Sequence, residues 1–289
     1  MTIGDLSIFE RPAKWRTAAA LKVAHNRRER QAAASPGPAF PQALALVERA
    51  LEQAPEGPVV DLGAGLAGVS DWLGQRTGRF VIPMDSAHAS CVGALRLFPG
   101  LTPVRADLTA LPVRRGSVAA IVIAGVTSLL DDDGFDACID EAARCLQAGG
   151  RMAFVDLVSA TRTDVRRGPN VFRSSETICS AFAAHGFTDV DHALGETGVG
   201  SWSDFNSTIG EHVRTHNDHE IAYGAWRHDQ AHIQRVMESG IVLVGAVTFV
   251  RGQRNKNLGR TDVDLVRRRP RTTDSRRWSR ASGGPRRAH

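Results

Sequence analysis

The stretch that most constrains the fold is residues 59–68, in which a β-branched run ends in Asp61 and three glycines follow. Gly63, Gly65 and Gly68 have G-x-G-x-x-G spacing, and a helix is predicted after them, from Val69 to Gln75. Glycines permit a tight turn and let a ligand approach the main chain, where the first N–H groups of the helix face it. The stretch therefore predicts a strand, a turn and a helix around a nucleotide-like ligand, although glycine also punctuates ordinary strand–helix loops.

The next hundred residues alternate between apolar runs and helical patterns. Further strands are predicted at Phe80–Asp85, Leu101–Ala106, Ser117–Val126 and Arg151–Val158, and a helix at Phe135–Leu146 that Gly149 and Gly150 would end. The run from Ser117 is the most continuous, as expected of a central strand buried on both faces. This alternation predicts a doubly wound parallel sheet.

An acid lies at the end of each of the first three predicted strands, at Asp61, Asp85 and Asp107. Asp85 ends the second strand, where a carboxylate can accept hydrogen bonds from a ribose diol bound across the glycine turn. It could equally be the N-cap of a helix over Ala87–Leu97. Pro83 predicts that this strand is short or displaced, because proline donates no hydrogen bond to a ladder.

This ordered series resembles the class I S-adenosylmethionine-dependent methyltransferases. The likeness is to the small-molecule branch of the ubiquinone/menaquinone methyltransferase-like type, and it covers residues 41–160 well and 171–250 loosely. It implies an α/β, Rossmann-like, doubly wound seven-stranded sheet, mostly parallel, with Phe187–Leu194 as the sixth strand and Ile241–Val250 as an antiparallel last strand. Ala119 stands where the family usually has Asp, and Ala148 where it usually has Pro. These departures prevent assignment to a subfamily.

The resemblance also implies S-adenosyl-L-methionine as cofactor, with a defined set of contacts. The residues are, at the methionine part, Asp61, Gly63, Gly65 and Gly68; at the ribose, Asp85 and Ser86; at the adenine, Asp107 and Leu108; and, after the fourth strand, Gly125. The segment Cys145–Arg151 matches the family's entry into the fifth strand.

Residues 195–240 form an insertion between the last two strands, too long for a hairpin and typical of a substrate lid. If 209–221 is helical, His212, His216 and His219 share one face. Imidazole suits the proton of a hydroxyl acceptor, such as that of a natural product or glycoside, so His216 is the predicted catalytic base, with His219 and His212 as substitutes. One alternative is that these histidines are solvated or structural. The other is a metal site, which the spacing would allow but which we do not predict. Trp202, Phe205, Tyr223 and Trp226 could wall the acceptor.

Charge divides the chain into three parts. Residues 251–289 carry thirteen Arg or Lys against three Asp, a net charge of +10. Because the whole chain has a net charge of +5, residues 1–250 have a net charge of −5. We expect a disordered basic tail at 251–289, a methyltransferase domain at 41–250, and an N-terminal helical arm at 1–40. The arm, helical over 10–33, either covers the cofactor cleft or is solvated.

No signal peptide or membrane span is recognisable, so a cytoplasmic, bacterial protein with four reduced cysteines is expected. The expected partner is a small-molecule substrate, with no membrane, and the sequence does not give the oligomeric state. Three functions remain: a small-molecule O-methyltransferase, an RNA methyltransferase that uses the tail, and a non-catalytic or NAD-binding Rossmann protein. Asp61, two residues before the first glycine, favours a methyltransferase over a dehydrogenase.

Overall fold

The structure, a computed structural model, describes residues 7–35, 41–195 and 201–252. Its strands are β1 Val59–Leu62, β2 Val81–Asp85, β3 Val104–Arg105, β4 Val118–Ala124, β5 Leu146–Ser159, β6 Val165–Arg167, β7 Asn170–Phe172, β8 Phe187–Gly195 and β9 Val242–Arg251. Its helices are α1 Ser7–Val23, α2 Arg27–Ala33, α3 Pro41–Glu52, α4 Gly68–Thr77, α5 His88–Leu97, α6 Asp132–Cys145, α7 Ser175–Ala184, α8 Ser201–Asn217 and α9 Ile221–Glu238. The predictions made for the basic tail beyond Gly252 lie outside the described residues.

Seven strands form the main sheet, in the order β3-β2-β1-β4-β5-β9-β8. The strands from β1 to β5 pair in parallel, and β9 is antiparallel to both of its neighbours, β5 and β8. One apolar core lies on each face of the sheet: Ile139, Phe154 and Phe182 belong to one, and Leu51 and Leu73 to the other. The predicted Rossmann-like, doubly wound seven-stranded sheet with an antiparallel last strand is confirmed.

Strand lengths follow from local chemistry. The central strand β4 is apolar and buried on both faces, as its sequence predicts. The third strand is shorter than predicted, because it pairs with β2 only at Met84 and Asp85. Pro83 lies just before that pairing begins, where a missing backbone donor costs no ladder bond.

The junction between α6 and β5 differs from the prediction. The helix ends at Cys145, and β5 begins at Leu146, before Gly149 and Gly150. The pairing of β5 with β4 shifts register between Val118 and Ala120, and Gly149 has a φ of +74°. These glycines therefore bend the start of a strand, as is usual at a β-bulge, and do not end the helix.

The N-terminal arm consists of two helices instead of one, because the chain breaks between Val23 and Arg27. Asn26 caps α2 by accepting a hydrogen bond from the Glu29 backbone N–H. On α1, the Glu10 carboxylate accepts hydrogen bonds from the first backbone N–H groups of α5, at His88 and Ala89. The arm is thus packed on the domain, and the alternative of a solvated arm is wrong.

The predicted lid contains α8 and α9. Between β5 and α7, β6 and β7 form a two-stranded antiparallel sheet. Two arginines between β5 and β7 make surface ion pairs: Arg166 with Asp132, at 2.5 Å, and Arg162 with Glu176. Within the ranges that the structure describes, no helix is both long enough and apolar enough to cross a membrane.

Candidate functional site

The glycine turn lies between β1 and α4 and uses left-handed backbone geometry. Gly63 and Gly65 have φ values of +68° and +54°. A Cβ atom at Gly63 would come within 2.8 Å of Val126 Cγ1, in the segment after β4, whereas one at Gly65 would have no heavy atom within 4 Å. The turn therefore packs tightly at Gly63 and leaves the backbone open to a ligand at Gly65.

Asp85, at the carboxyl end of β2, joins this turn to the start of α5. Its Oδ2 accepts a hydrogen bond of 2.8 Å from Gly65 N, and its Oδ1 accepts one of 2.9 Å from Ala87 N. Burial raises the pKa of its carboxyl group. The N-cap interpretation of Asp85 is wrong, because Ala87 is the N-cap of α5 and the first N–H groups of that helix donate to Glu10. The ribose interpretation stays a prediction, and Oδ2 lies at the open side of the glycine turn. Ser86 accepts a hydrogen bond from Arg105 through its backbone oxygen.

Asp61 lies under the turn and is 1% exposed. Its Oδ2 accepts a hydrogen bond of 2.5 Å from the Ser70 hydroxyl on α4. Burial raises the pKa of Asp61 to about 7. The carboxyl group thus ties the first strand to the helix that follows the turn.

The remaining predicted cofactor residues lie on neighbouring loops. Asp107 Oδ1 accepts hydrogen bonds from the backbone and hydroxyl of Thr109, and Leu108 is buried in the core. Gly125, with a φ of +75°, donates to the Val155 carbonyl oxygen.

Two buried charged residues that the sequence analysis did not single out hold the loop after β4. Asp156 Oδ2 accepts hydrogen bonds from the backbone N–H and the hydroxyl of Thr127, at 2.7 and 2.6 Å. The Arg173 guanidinium donates to the carbonyl oxygens of Thr127, Leu130 and Asp131. An acid inside the apolar run of β5 was the available signal for Asp156.

The second arm helix is fixed directly on the start of α4. Asp71, in the first turn of α4, is buried and accepts hydrogen bonds from Arg27 and Gln31 of α2. A Cβ atom at Gly68 would come within 2.3 Å of both the Gln31 carbonyl oxygen and Ser35 Oγ. The third glycine of the motif is therefore required by the packing of the arm.

A buried arginine of α1 connects the arm to the lid. Arg16 donates to the Ala33 carbonyl oxygen at 2.7 Å and to Asn206 Oδ1 of α8 at 2.5 Å, and Asn206 Nδ2 donates to the Ser35 carbonyl oxygen. Burial lowers the pKa of Arg16 to about 10, so the guanidinium is charged at neutral pH. The arm and the lid thus meet beside the glycine turn.

The three predicted catalytic histidines do not share a helical face. Helix α8 ends at Asn217, whose carbonyl oxygen accepts a hydrogen bond from Glu220 N, and His219 lies in the resulting turn. His212 and His216 are stacked, with ring centroids 4.0 Å apart. The prediction of a single face was wrong for His219, because the helix is one turn shorter than its pattern.

The stacked histidines line a pocket between α1 and α8, together with Lys14, Trp15 and Lys22. Among the described residues, His216 Nδ1 lies within hydrogen-bond distance of the His212 carbonyl oxygen, in the same helix. In the same ranges, no group of three or more His, Cys, Asp or Glu side chains is arranged to hold a metal ion.

The aromatic residues of the lid pack on the arm. Tyr223 is 3% exposed, and both Tyr223 and Trp226 meet the Trp15 ring, with centroids 5.7 and 6.2 Å apart. Phe205 packs against the same apolar cluster, and the Trp202 side chain lies outside the described residues. The described aromatics therefore join the lid to the arm, and the expectation that they wall the acceptor stays a prediction.

Comparison with known proteins agrees with this geometry. Residues 59–150 match the family model described as a methyltransferase domain. No curated protein has a sequence that matches this chain significantly. The similarity to solved structures is extensive in fold but low in sequence.

Three solved structures illustrate the similarity. Geranyl diphosphate C-methyltransferase from Streptomyces coelicolor A3(2), solved with S-adenosyl-L-homocysteine, is 16% identical with a TM-score of 0.55, over 73% of this chain and 77% of that one. A phosphoethanolamine N-methyltransferase 2 from Haemonchus contortus is 13% identical with a TM-score of 0.59, over 82% of this chain and 57% of that one. The 4+2 cyclase SpnF is 15% identical with a TM-score of 0.58, over 86% and 96%.

The ubiquinone/menaquinone subtype is not supported by these comparisons, whereas the main identification is confirmed. Residues 59–150 match the model of a methyltransferase domain, and the chain has the fold of the class I S-adenosylmethionine-dependent methyltransferases.

Proposed function

We propose that this protein transfers a methyl group from S-adenosyl-L-methionine to a small-molecule acceptor. The observation that carries the proposal is the position of Asp85, whose carboxylate meets Gly65 N at the open side of the glycine turn. A carboxylate at the end of the second strand, beside an exposed main chain and a helix N-terminus, suits an adenosine ligand with a charged amino-acid end.

The residues present fit this cofactor. Asp85 would accept hydrogen bonds from the ribose hydroxyls, and the open backbone at Gly65 would admit the chain that joins the ribose to the amino-acid end. Asp107 and Leu108 would lie toward the adenine, and Gly63 would keep the loop after β4 close to the turn. When bound, the cofactor supplies an electrophilic methyl group, so the protein has to position the acceptor and exclude water.

The finer part of the proposal is the acceptor atom, a hydroxyl oxygen, which must lose a proton. His216 has the geometry of a base, because its Nδ1 lies 2.8 Å from the His212 carbonyl oxygen. That carbonyl oxygen can only accept, so Nδ1 carries the proton and Nε2 is left to receive one. Catalysis by His216 requires an acceptor whose hydroxyl reaches both Nε2 and the open side of Gly65.

Calorimetric titration tests the cofactor. We expect micromolar binding of S-adenosylmethionine and S-adenosylhomocysteine, no binding of NAD, and a loss of about 10- to 100-fold in affinity in Asp85→Asn, the range for hydrogen bonds to a charged group. The matched control is Asp191→Asn, at an exposed residue that pairs with Arg49 on the surface. Binding of NAD alone, or equal losses in both variants, would overturn the proposal.

Turnover must be shown separately, because the same fold is found in a cyclase and fold does not fix chemistry. A panel of hydroxylated and amine-bearing small molecules is incubated with S-adenosylmethionine, and each product is examined for the mass of one added methylene unit. With a hydroxyl acceptor, His216→Ala should lower kcat by at least about 100-fold, the usual contribution of a general base. His228→Ala, an exposed histidine on α9, is the control, and equal rates in the two variants would remove His216 from the mechanism.

A further inference from the structure

Arg16 is a buried cation for which the described part of the chain supplies no carboxylate. The residue is 8% exposed, and its hydrogen bonds go to two neutral oxygens, those of Ala33 and Asn206. Its Nε atom is buried and has no partner. An unpaired charge inside a protein is costly, so a buried guanidinium with a free donor indicates a site completed by an anion.

A second unpaired donor lies close by. Ser35 is 7% exposed, and its hydroxyl oxygen is buried without a hydrogen bond. The same oxygen is 2.3 Å from where a Cβ atom of Gly68 would stand, so it faces the first residue of α4. The first backbone N–H groups of a helix have no partner within the helix and carry a partial positive charge.

These groups lie on one side of the glycine turn. Asn206 bonds both the Arg16 guanidinium and the Ser35 carbonyl oxygen, so one hydrogen-bond network joins Arg16 to the residue whose hydroxyl faces the start of α4. The ion pair of the exposed Arg27 with the buried Asp71 fixes α2 there and already neutralises the acid in the first turn of α4. The charge of Arg16 is left without a counter-ion in the described ranges.

We propose that Arg16 and Ser35, with the first N–H groups of α4, bind the carboxylate at the amino-acid end of S-adenosylmethionine. This inference rests on the proposed function and assigns the two arm residues to the cofactor. The guanidinium and the hydroxyl donate, and both carboxylate oxygens accept, which satisfies the two buried donors together.

The site would make the arm and the lid sensitive to the cofactor. Arg16 belongs to α1, Ser35 follows α2, and Asn206 belongs to α8, so a carboxylate held here is shared by three elements that are distant in sequence. Ligands that keep the adenosine but lack the carboxylate should bind without this contribution.

The test is a thermodynamic cycle of two ligands and two proteins. Calorimetry compares S-adenosylmethionine with decarboxylated S-adenosylmethionine, which keeps the amine and the sulfonium, on the wild-type protein and on Arg16→Met. We expect the substitution to lower the affinity for S-adenosylmethionine by about 10- to 100-fold and the affinity for its decarboxylated form by less than about threefold. Arg11→Met is the matched control, because Arg11 lies on the same helix and is 61% exposed.

Ser35→Ala gives a second measurement, should Arg16→Met unfold. It should lower the affinity for S-adenosylmethionine by about three- to tenfold and leave the affinity for the decarboxylated ligand unchanged, as expected for the loss of one neutral donor. Equal losses for both ligands in either variant would show a purely structural role and overturn the inference. If the wild-type protein binds neither ligand, the proposed function itself has failed.

Discussion

At the scale of single residues, Asp61 makes the stability of the protein depend on pH. Burial raises its pKa to about 7, above the value of an unfolded chain, so the folded protein binds this proton more tightly. The stabilisation from protonation is complete below the unfolded-state pKa and is lost as pH rises towards 7. Asp61→Asn removes this titration while preserving the shape of the side chain.

We therefore expect the free energy of unfolding of the wild-type protein to fall between pH 5 and pH 8 by at least about 1 kcal/mol more than that of Asp61→Asn. Urea unfolding at a series of pH values measures the difference. Burial also raises the pKa of Asp85 and Asp156, whose carboxyl groups are common to both proteins, and the charge of Asp85 adds to the raised pKa of Asp61. Parallel stability profiles would show that the pKa of Asp61 is not raised by folding.

Individual residues also mark the limit of what the sequence predicted. Asp85 could be predicted, because an acid at the end of an apolar run lies at a known edge of a parallel sheet. Arg16 and Ser35 could not, because they meet Gly68 and Asn206 only through packing between segments far apart in the chain. Neither residue belongs to a local motif, so no pattern pointed to them.

At the scale of helices, the close crossing of α1 and α5 depends on a glycine. A Cβ atom at Gly93 would lie 2.4 Å from Thr17 Oγ1 and 2.5 Å from Leu66 Cδ2. Gly93→Ala should therefore push the arm away from the glycine turn and cost about 1–3 kcal/mol of stability, the usual range for overpacking. It should also lower the affinity for S-adenosylhomocysteine, because Leu66 belongs to the glycine turn.

The matched control is Gly74→Ala in α4, where the nearest atom to an added Cβ, the Arg79 carbonyl oxygen, is 3.5 Å away. Alanine is favoured over glycine inside a helix by about 1 kcal/mol, so this variant should be as stable as the wild-type protein or more stable. Thermal unfolding and calorimetry distinguish the two. A Gly93→Ala variant with unchanged stability and affinity would show that the arm does not depend on this contact.

Helices and strands were predictable to different extents. The strands of the sheet were found because long apolar runs have few other solutions, and β4 is the clearest case. The end of α8 was missed because the histidine spacing continued the helical pattern past Asn217, where the backbone turns instead. The pairing of β6 with β7 was missed because each strand has only three residues, too few to show an alternating pattern, and the two differ in burial: β6 is largely exposed and β7 is buried.

At the scale of the whole molecule, the charge is concentrated in one terminal segment. Residues 253–289 hold twelve Arg or Lys and three Asp, while the preceding part of the chain is acidic on balance. A basic segment of this kind binds nucleic acid through release of counterions, which is the basis of the RNA methyltransferase alternative. The small-molecule proposal assigns the segment no part in the reaction.

Ending the chain after Gly252 separates the two functions. The last strand of the sheet is β9, and the glycine turn lies far earlier in the chain. We therefore expect the shortened protein to keep its affinity for S-adenosylhomocysteine within about twofold, because distant, independent changes have little effect on each other. Its turnover of a small acceptor should also stay within about twofold. The RNA alternative expects the full-length chain to bind RNA with an affinity that falls steeply with salt, and to lose both that binding and its activity on shortening. Loss of turnover on the small acceptor, with cofactor affinity retained, would contradict the small-molecule proposal and place the acceptor site in the tail.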